Sequence, residues 1–253
     1  RHRIQGIINT DDYQIVYSDT PGIMKPVYEL HKSMMRFVST SLEDADVVIF
    51  VADLFEQYDE EDVIKKLGKT DVPVIFLLNK IDLAKDEQQV KDKLAEWEEK
   101  IAPAETMVIS ALNEINTEGI FDLILKYIPE HPAFFDKDSL TDKPERVFVS
   151  EMIREQIFKI YKKEVPYSCE VMVREFIEEP KIIRIMADIL VERDSQKGII
   201  IGHQGKQLKK VGTHSRYAME KFFGKKVFLE TYVKVEKDWR RKESKLKSLG
   251  YNQ

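Results

Sequence analysis

Asn79-Lys80-Ile81-Asp82 follows the apolar run Val72–Leu78. A carboxylate in the fourth position of such a tetrapeptide can accept two parallel hydrogen bonds from the N1–H and exocyclic amine of guanine, an edge adenine does not offer. The Lys80 stem can pack over a base, and Asn79 can tie adjacent loops together. From composition, N-K-x-D should arise by chance about 0.04 times in this chain. Sixty residues earlier, Asp19-Thr20-Pro21-Gly22 closes another short apolar segment. Asp19 can reach a phosphate-bound Mg²⁺ through water, and Gly22 lets a backbone N–H approach a terminal phosphate. The same residues also suit an ordinary turn. Ser110-Ala111-Leu112 closes a third apolar segment, where small residues let backbone N–H groups reach a guanine O6.

A second kind of chemistry lies further on. Gly202-His203-Gln204-Gly205 opens a stretch bearing Lys206, Lys209, Lys210 and Arg216. Ten glycines give about 0.4 such G-x-x-G tetrapeptides by chance, so the context carries the signal. Residues 193–226 hold nine Lys and Arg against two Asp and Glu, a net of +7 suited to an anionic ligand. Neither middle residue of the loop is basic, which leaves Lys206 to meet a phosphate. A tight turn between two helices explains the same glycines.

The elements that must hold these groups follow from periodicity. Strands are expected at Gln14–Ser18, Asp46–Leu54, Val72–Leu78 and Thr106–Ser110, and helices at Leu30–Leu42, Glu60–Lys69, Glu87–Lys100 and Ile120–Ile128. Buried strands alternating with helices imply a parallel sheet covered on both faces, with ligands beyond the strand C-termini. Pro129, Pro132 and Pro144 with many charges read as a linker over 131–144. Beyond it come a helix at Val147–Lys162, alternating strands at Ser168–Ile177 and Ile182–Val191, a glycine-interrupted helical stretch at Lys197–Phe223, a strand at Val227–Val235 and a helix at Trp239–Leu249.

The charge follows the same division. The net charge of −5 splits into −12 over residues 1–130 and +7 over residues 131–253, so two domains with different partners are expected, the basic one facing phosphate. A single cysteine, Cys169, excludes an internal disulfide and a cysteine zinc site, and the five scattered histidines add no metal spacing. No apolar run approaches the ~20 residues of a membrane helix, and no leader is apparent, so a cytoplasmic protein is expected. Cys169 and Trp97 read as packing residues, as do Met34 and Met35.

The ordered clusters resemble the third, fourth and fifth motifs of Ras-like GTPases of the TRAFAC class. With Arg1-His2-Arg3-Ile4, Glu151-Met152-Ile153-Arg154-Glu155, Pro166-Tyr167-Ser168 and Ser248-Leu249-Gly250-Tyr251, the whole chain is similar to Era-like GTPases. The resemblance implies an α/β Ras-like GTPase domain over 1–130 and an α+β type II KH domain over 145–253. It implies GTP, GDP and Mg²⁺ as cofactors, bound through Asp19, Thr20, Pro21, Gly22, Asn79, Lys80, Asp82, Ser110, Ala111 and Leu112. RNA is implied at Gly202, His203, Gln204, Gly205, Lys206, Lys209 and Lys210. The implied partners are the 3′ end of small-subunit ribosomal RNA and the 30S subunit, whose maturation the protein would assist as a monomer, with peripheral association with the inner membrane. Two features depart from the Ras-like pattern. No G-x-x-x-x-G-K-[ST] occurs, so the chain is expected to lack the family's first strand, phosphate loop and first helix, and to be inactive by itself. Ile23 stands where Ras-like enzymes place a water-orienting Gln, which implies slow turnover. A nucleotide-inactive RNA-binding assembly factor, or another ribosome-assembly GTPase such as Der, are the rival readings.

Overall fold

A computed structural model describes residues 2–56 and 61–251. Arg1, and Glu60 at the expected start of a helix, lie outside the described residues. The chain divides into two compact units, Arg1–Leu140 and Thr141–Gln253.

The first unit opens with an antiparallel hairpin, β1 (Ile4–Asn9) and β2 (Gln14–Asp19). The Thr10 hydroxyl holds its turn, accepting from the N–H groups of Asp12 (3.3 Å) and Tyr13 (3.0 Å). Then follow α1 (Glu29–Glu43), β3 (Val48–Asp53), α2 (Glu61–Leu67), β4 (Val74–Asn79), α3 (Glu87–Ile101), β5 (Glu105–Val108) and α4 (Gly119–Tyr127). β3, β4 and β5 form a parallel sheet with β4 in the middle. Residues Val74–Leu78 are all buried, because the central strand feeds both faces. Phe76 and Leu78 join Phe50, Ala52, Trp97 and Ile101 on one side. Ile75 and Leu77 join Ile15, Ile109 and Ile124 on the other.

The expectation of one parallel sheet needs correction. Gln14–Asp19 pairs antiparallel with β1, in a sheet of its own. A four-residue turn can join antiparallel neighbours, whereas a parallel pair needs a long crossover. β1 was not expected at all.

The division between units falls inside the stretch 131–144. Its first part lies along the hairpin: Gln14 Oε1 accepts from the N–H groups of Phe134 (2.8 Å) and Phe135 (3.0 Å). The Ile7 N–H donates to the Leu140 carbonyl at 2.9 Å, and Asn9 Nδ2 to that of Ser139 at 2.8 Å.

The second unit runs α5 (Glu145–Ile160), β6 (Glu170–Glu178), β7 (Ile182–Val191), α6 (Asp194–Ile201), α7 (Lys206–Phe223), β8 (Lys226–Val235) and α8 (Glu243–Ser248). Its sheet has β7 in the middle, antiparallel to β6 and parallel to β8. Alternate β7 residues Ile183, Ile185, Ala187, Ile189 and Val191 build the core with Val149, Ile153 and Ile157 of α5 and Val211 and Met219 of α7. Asp188, on the opposite face of β7, is also fully buried; its carboxylate lies 3.0 Å from Arg174 Nε and 2.6 Å from Lys234 Nζ. Trp239–Leu249, expected as one helix, is a single turn at Trp239–Arg241 and then α8, separated by Lys242 in extended conformation. The Trp239 indole is buried and donates to the Ser168 carbonyl at 3.2 Å. Cys169 is a core residue, as expected.

Candidate nucleotide-base site and nucleic-acid cleft

The first cluster forms where β4 and β5 end. Asn79 is the last residue of β4, and its side-chain oxygen accepts two backbone N–H groups, from Lys80 at 2.8 Å and Ala111 at 3.0 Å. One side chain thus clamps the loop after β4 to the loop after β5. Lys80 sits in the left-handed region at φ 66°, ψ 33°, a conformation that costs a non-glycine residue free energy and is held by this clamp. The turn Ile81–Leu83 then presents Asp82 to solvent. Its carboxylate makes no hydrogen bond or ion pair among the described residues, the state a guanine-reading acid needs.

Ser110 is buried and pairs with Ile115 through both backbone groups, at 3.2 and 3.0 Å. With its own N–H and that of Ala111 engaged, Leu112 carries the free amide of the three among the described residues. Leu112 is itself 86% exposed.

Asp53 escaped the sequence reading. It ends β3 directly opposite Asn79 in the parallel register, and its carboxylate pairs with the Lys80 ammonium. Partial burial pushes the Asp53 carboxyl up, but hydrogen bonds from Lys80 and the Phe55 N–H, with the Lys80 charge, outweigh it and hold its pKa below the usual carboxylate value. The same hydrogen bond and the Asp53 negative charge raise the Lys80 pKa. Asp53 thereby extends the Lys80 side chain across the strand ends. An acid closing an apolar strand was the available signal.

Asp19 ends β2, exposed, and shares no hydrogen bond or ion pair with the Asn79 cluster among the described residues. Pro21 is buried, and a Cβ at Gly22 would meet open space. No group of three His, Cys, Asp or Glu side chains placed to hold a metal ion occurs among the described residues. Ile23 packs against the core around Phe50 and Trp97 and offers no polar atom to orient water. A cleft of about 620 Å³ beside Val108 and Asn116 contains none of the expected nucleotide residues.

The second site lies between α6 and α7. The Gly202 backbone has φ 69° and ψ 178°, and a Cβ there would lie 2.6 Å from Gln207 Cγ, so only glycine makes this turn without strain. Gly205 at φ 73° completes it and starts α7. His203 and Gln204 stand exposed between the two glycines. The entry to the loop is pinned from behind, where buried Tyr161 donates to the Ile200 carbonyl at 2.6 Å. Burial pushes the Tyr161 phenol up to about 12, so it remains a donor at neutral pH. From Gly205 a cleft of about 370 Å³ runs between α7 and β8, lined by Leu208, Lys209, Gly212, Arg216, Leu229 and Thr231 among others. Lys206, Lys209 and Lys210 are exposed and make no ion pair among the described residues. Gly205 at the mouth, Leu208 and Leu229 in the lining, Lys209 on the wall, and exposed Lys206 and Lys210 on the same helix suit a single-stranded nucleic acid whose backbone crosses the loop.

Comparison with known proteins bears on both sites. The Elongation factor Tu GTP binding domain family matches residues 4–130, and the KH domain family matches residues 164–240. The chain is 38% identical over 254 aligned residues to "GTPase Era" of Staphylococcus haemolyticus (strain JCSC1435), covering 99% of this chain and 85% of that protein. A crystal structure of Era in complex with MgGDPNP and nucleotides 1506–1542 of 16S ribosomal RNA superposes with a TM-score of 0.93 at 35% identity, covering all of this chain and 87% of that one. A crystal structure of an Aquifex aeolicus Era variant bound to GDP.AlF4- gives 0.91 at 34% identity, with the same coverage.

Proposed function

This chain belongs to the Era family of GTPases, and on that premise we propose that it is a GTP-dependent switch that binds the 3′ end of small-subunit ribosomal RNA and assists 30S maturation. The observation that carries the nucleotide half is the Asn79 clamp with the exposed Asp82 carboxylate on the turn that follows it. Asp82 reads the N1–H and amine of guanine, the Lys80 stem covers the base, and the loop from Ser110 to Leu112 closes over its O6 edge. Asp19, through water, and the Gly22 backbone face the phosphate end, with Thr20 and Pro21 shaping the turn. GTP and Mg²⁺, when bound, supply the reacting phosphoryl group and its charge compensation. The chain's own residues select the base and report the phosphate state.

The RNA half rests on the glycine turn. Gly202 and Gly205 admit the RNA backbone past His203 and Gln204, Lys206, Lys209 and Lys210 meet its phosphates, and the cleft along α7 takes unstacked bases. Hydrolysis releases the RNA by changing the arrangement that the nucleotide sets. We place the protein in the cytoplasm as a monomer, with peripheral contact to the inner membrane supported by family membership alone. No described helix is long and apolar enough to cross a membrane.

The direct test is nucleotide specificity in the full-length protein. Asp82→Asn replaces an acceptor by a donor, and xanthine carries a carbonyl where guanine has its amine. Guanine nucleotides should lose roughly 1.5–3 kcal/mol of affinity while xanthine nucleotides gain. Unchanged GDP affinity would remove Asp82 from the site.

A further inference from the structure

On one side of its cleft-lining face, α7 presents a second strip of side chains. At about 100° per residue, Lys206, Tyr217, Lys210 and Lys221 fall within roughly 60° of one another, beside the strip of Leu208, Lys209, Gly212 and Arg216 that lines the cleft. The buried positions Val211, Ser215 and Met219 face the sheet. All four residues of the outer strip are exposed, and its three lysines make no ion pair among the described residues.

Tyr217 is the aromatic residue in this strip, and it is 58% exposed. A large ring left this far open on a helix is available as a contact surface. The Arg216 guanidinium stands 4.4 Å from its ring centroid. Arg216 is steadied in turn by Glu220, at 3.0 Å one helical turn on. Because Arg216 also lines the cleft, the ring continues the cleft wall over the shoulder of the helix.

We infer that Tyr217 is a stacking platform for a nucleobase of single-stranded RNA that has left the cleft, with Lys210 and Lys221 taking the flanking phosphates. The charge of the strip selects a polyanion, and its continuity with the cleft selects the strand already held there. An aromatic face stacks any base, so this site lengthens the bound segment without adding sequence preference. The cation at the ring adds attraction from its guanidinium plane to the same base. The inference rests on the KH reading of the glycine turn and cleft.

The test uses the full-length protein and an RNA of nucleotides 1506–1542 of 16S ribosomal RNA with nested truncations from each end. Wild type should lose affinity in separate steps as the RNA shortens. Tyr217→Ala should lack one of those steps, binding the long RNA about tenfold more weakly and the shortest binding RNA as wild type does. Tyr217→Trp should keep the affinity and show fluorescence quenching with the long RNA only, since Trp97 and Trp239 are both buried. Equal affinities of wild type and Tyr217→Ala along the whole ladder would overturn the inference. So would a uniform loss at every length, which would place Tyr217 in the fold rather than on the RNA path. Replacing His203 and Gln204 together by Asp should abolish binding at every length. If it does not, the cleft reading itself fails, separately from the platform.

Discussion

Asn79→Ala removes the acceptor that joins two loops and leaves the backbone of β4 intact. Two hydrogen bonds disappear, to Lys80 at 2.8 Å and to Ala111 at 3.0 Å. At about 0.5–1.5 kcal/mol net each, the loss is about 1–3 kcal/mol. Lys80 also loses the contact that holds its left-handed backbone. The effect should be local, so amide exchange at Lys80 and Ala111 should speed up about 5- to 150-fold, at 1.4 kcal/mol per tenfold. GDP affinity should fall by at least the same factor, because Asp82 follows Lys80 on the released turn. Asn79→Asp keeps an acceptor oxygen in place and should hold much of the protection that Asn79→Ala loses. Hydrogen exchange with residue-level resolution on the full-length protein, paired with GDP titration, reads both effects. Unchanged exchange at the two amides in Asn79→Ala, or Asn79→Asp as damaged as Asn79→Ala, would show that the side-chain oxygen is not the clamp.

Three further outcomes follow from the same structure. Asp53 has a depressed pKa, so its contribution to stability is full above the unfolded carboxylate value and is lost as pH falls through the lower folded value; Asp53→Asn should flatten the acid limb of the stability profile, and an unchanged limb would dismiss the Lys80 pairing as its cause. Gly202→Ala should destabilise the second unit by about 1–3 kcal/mol, from its backbone conformation and the 2.6 Å approach of Gln207, whereas Gly212→Ala, inside α7 and 3.9 Å from Thr231, should stabilise it by about 0.5–1 kcal/mol while narrowing the cleft; thermal melts and RNA titrations that failed to separate the two would refute the geometry. RNA affinity should fall steeply with salt as the lysines release counterions, and a flat salt dependence would rule out phosphate contact.

Much of this was readable from residue order, for physical reasons that differ by element. Val72–Leu78 was recognisable because a strand buried on both faces must be apolar throughout, and the polar groups that follow it must then sit at its C-terminal end. β7 was recognisable because one of its faces packs on helices and the other does not. Asp188 shows the limit of that pattern, since a polar position in the alternation is fully buried through Arg174 and Lys234, partners on two other strands. The hairpin strand β1 was missed because Ile4–Asn9 is short and carries Gln, Gly and Asn, and its pairing depends on a neighbour. Asp53 was missed because an acid closing an apolar strand marks a strand end without naming its partners, which the parallel register supplies in Asn79 and Lys80. The division after Leu140 was hidden because Gln14, far away in sequence, holds the start of the proline-rich stretch.

The central claim is that one chain couples guanine nucleotide to ribosomal RNA. It is tested most directly by titrating full-length protein with the 1506–1542 segment of 16S ribosomal RNA, once saturated with Mg²⁺ and GDPNP and once with GDP. Binding should be tighter in the GDPNP state, and by linkage the RNA should raise affinity for GDPNP over GDP by the same factor. Equal RNA affinity in the two nucleotide states would contradict the account.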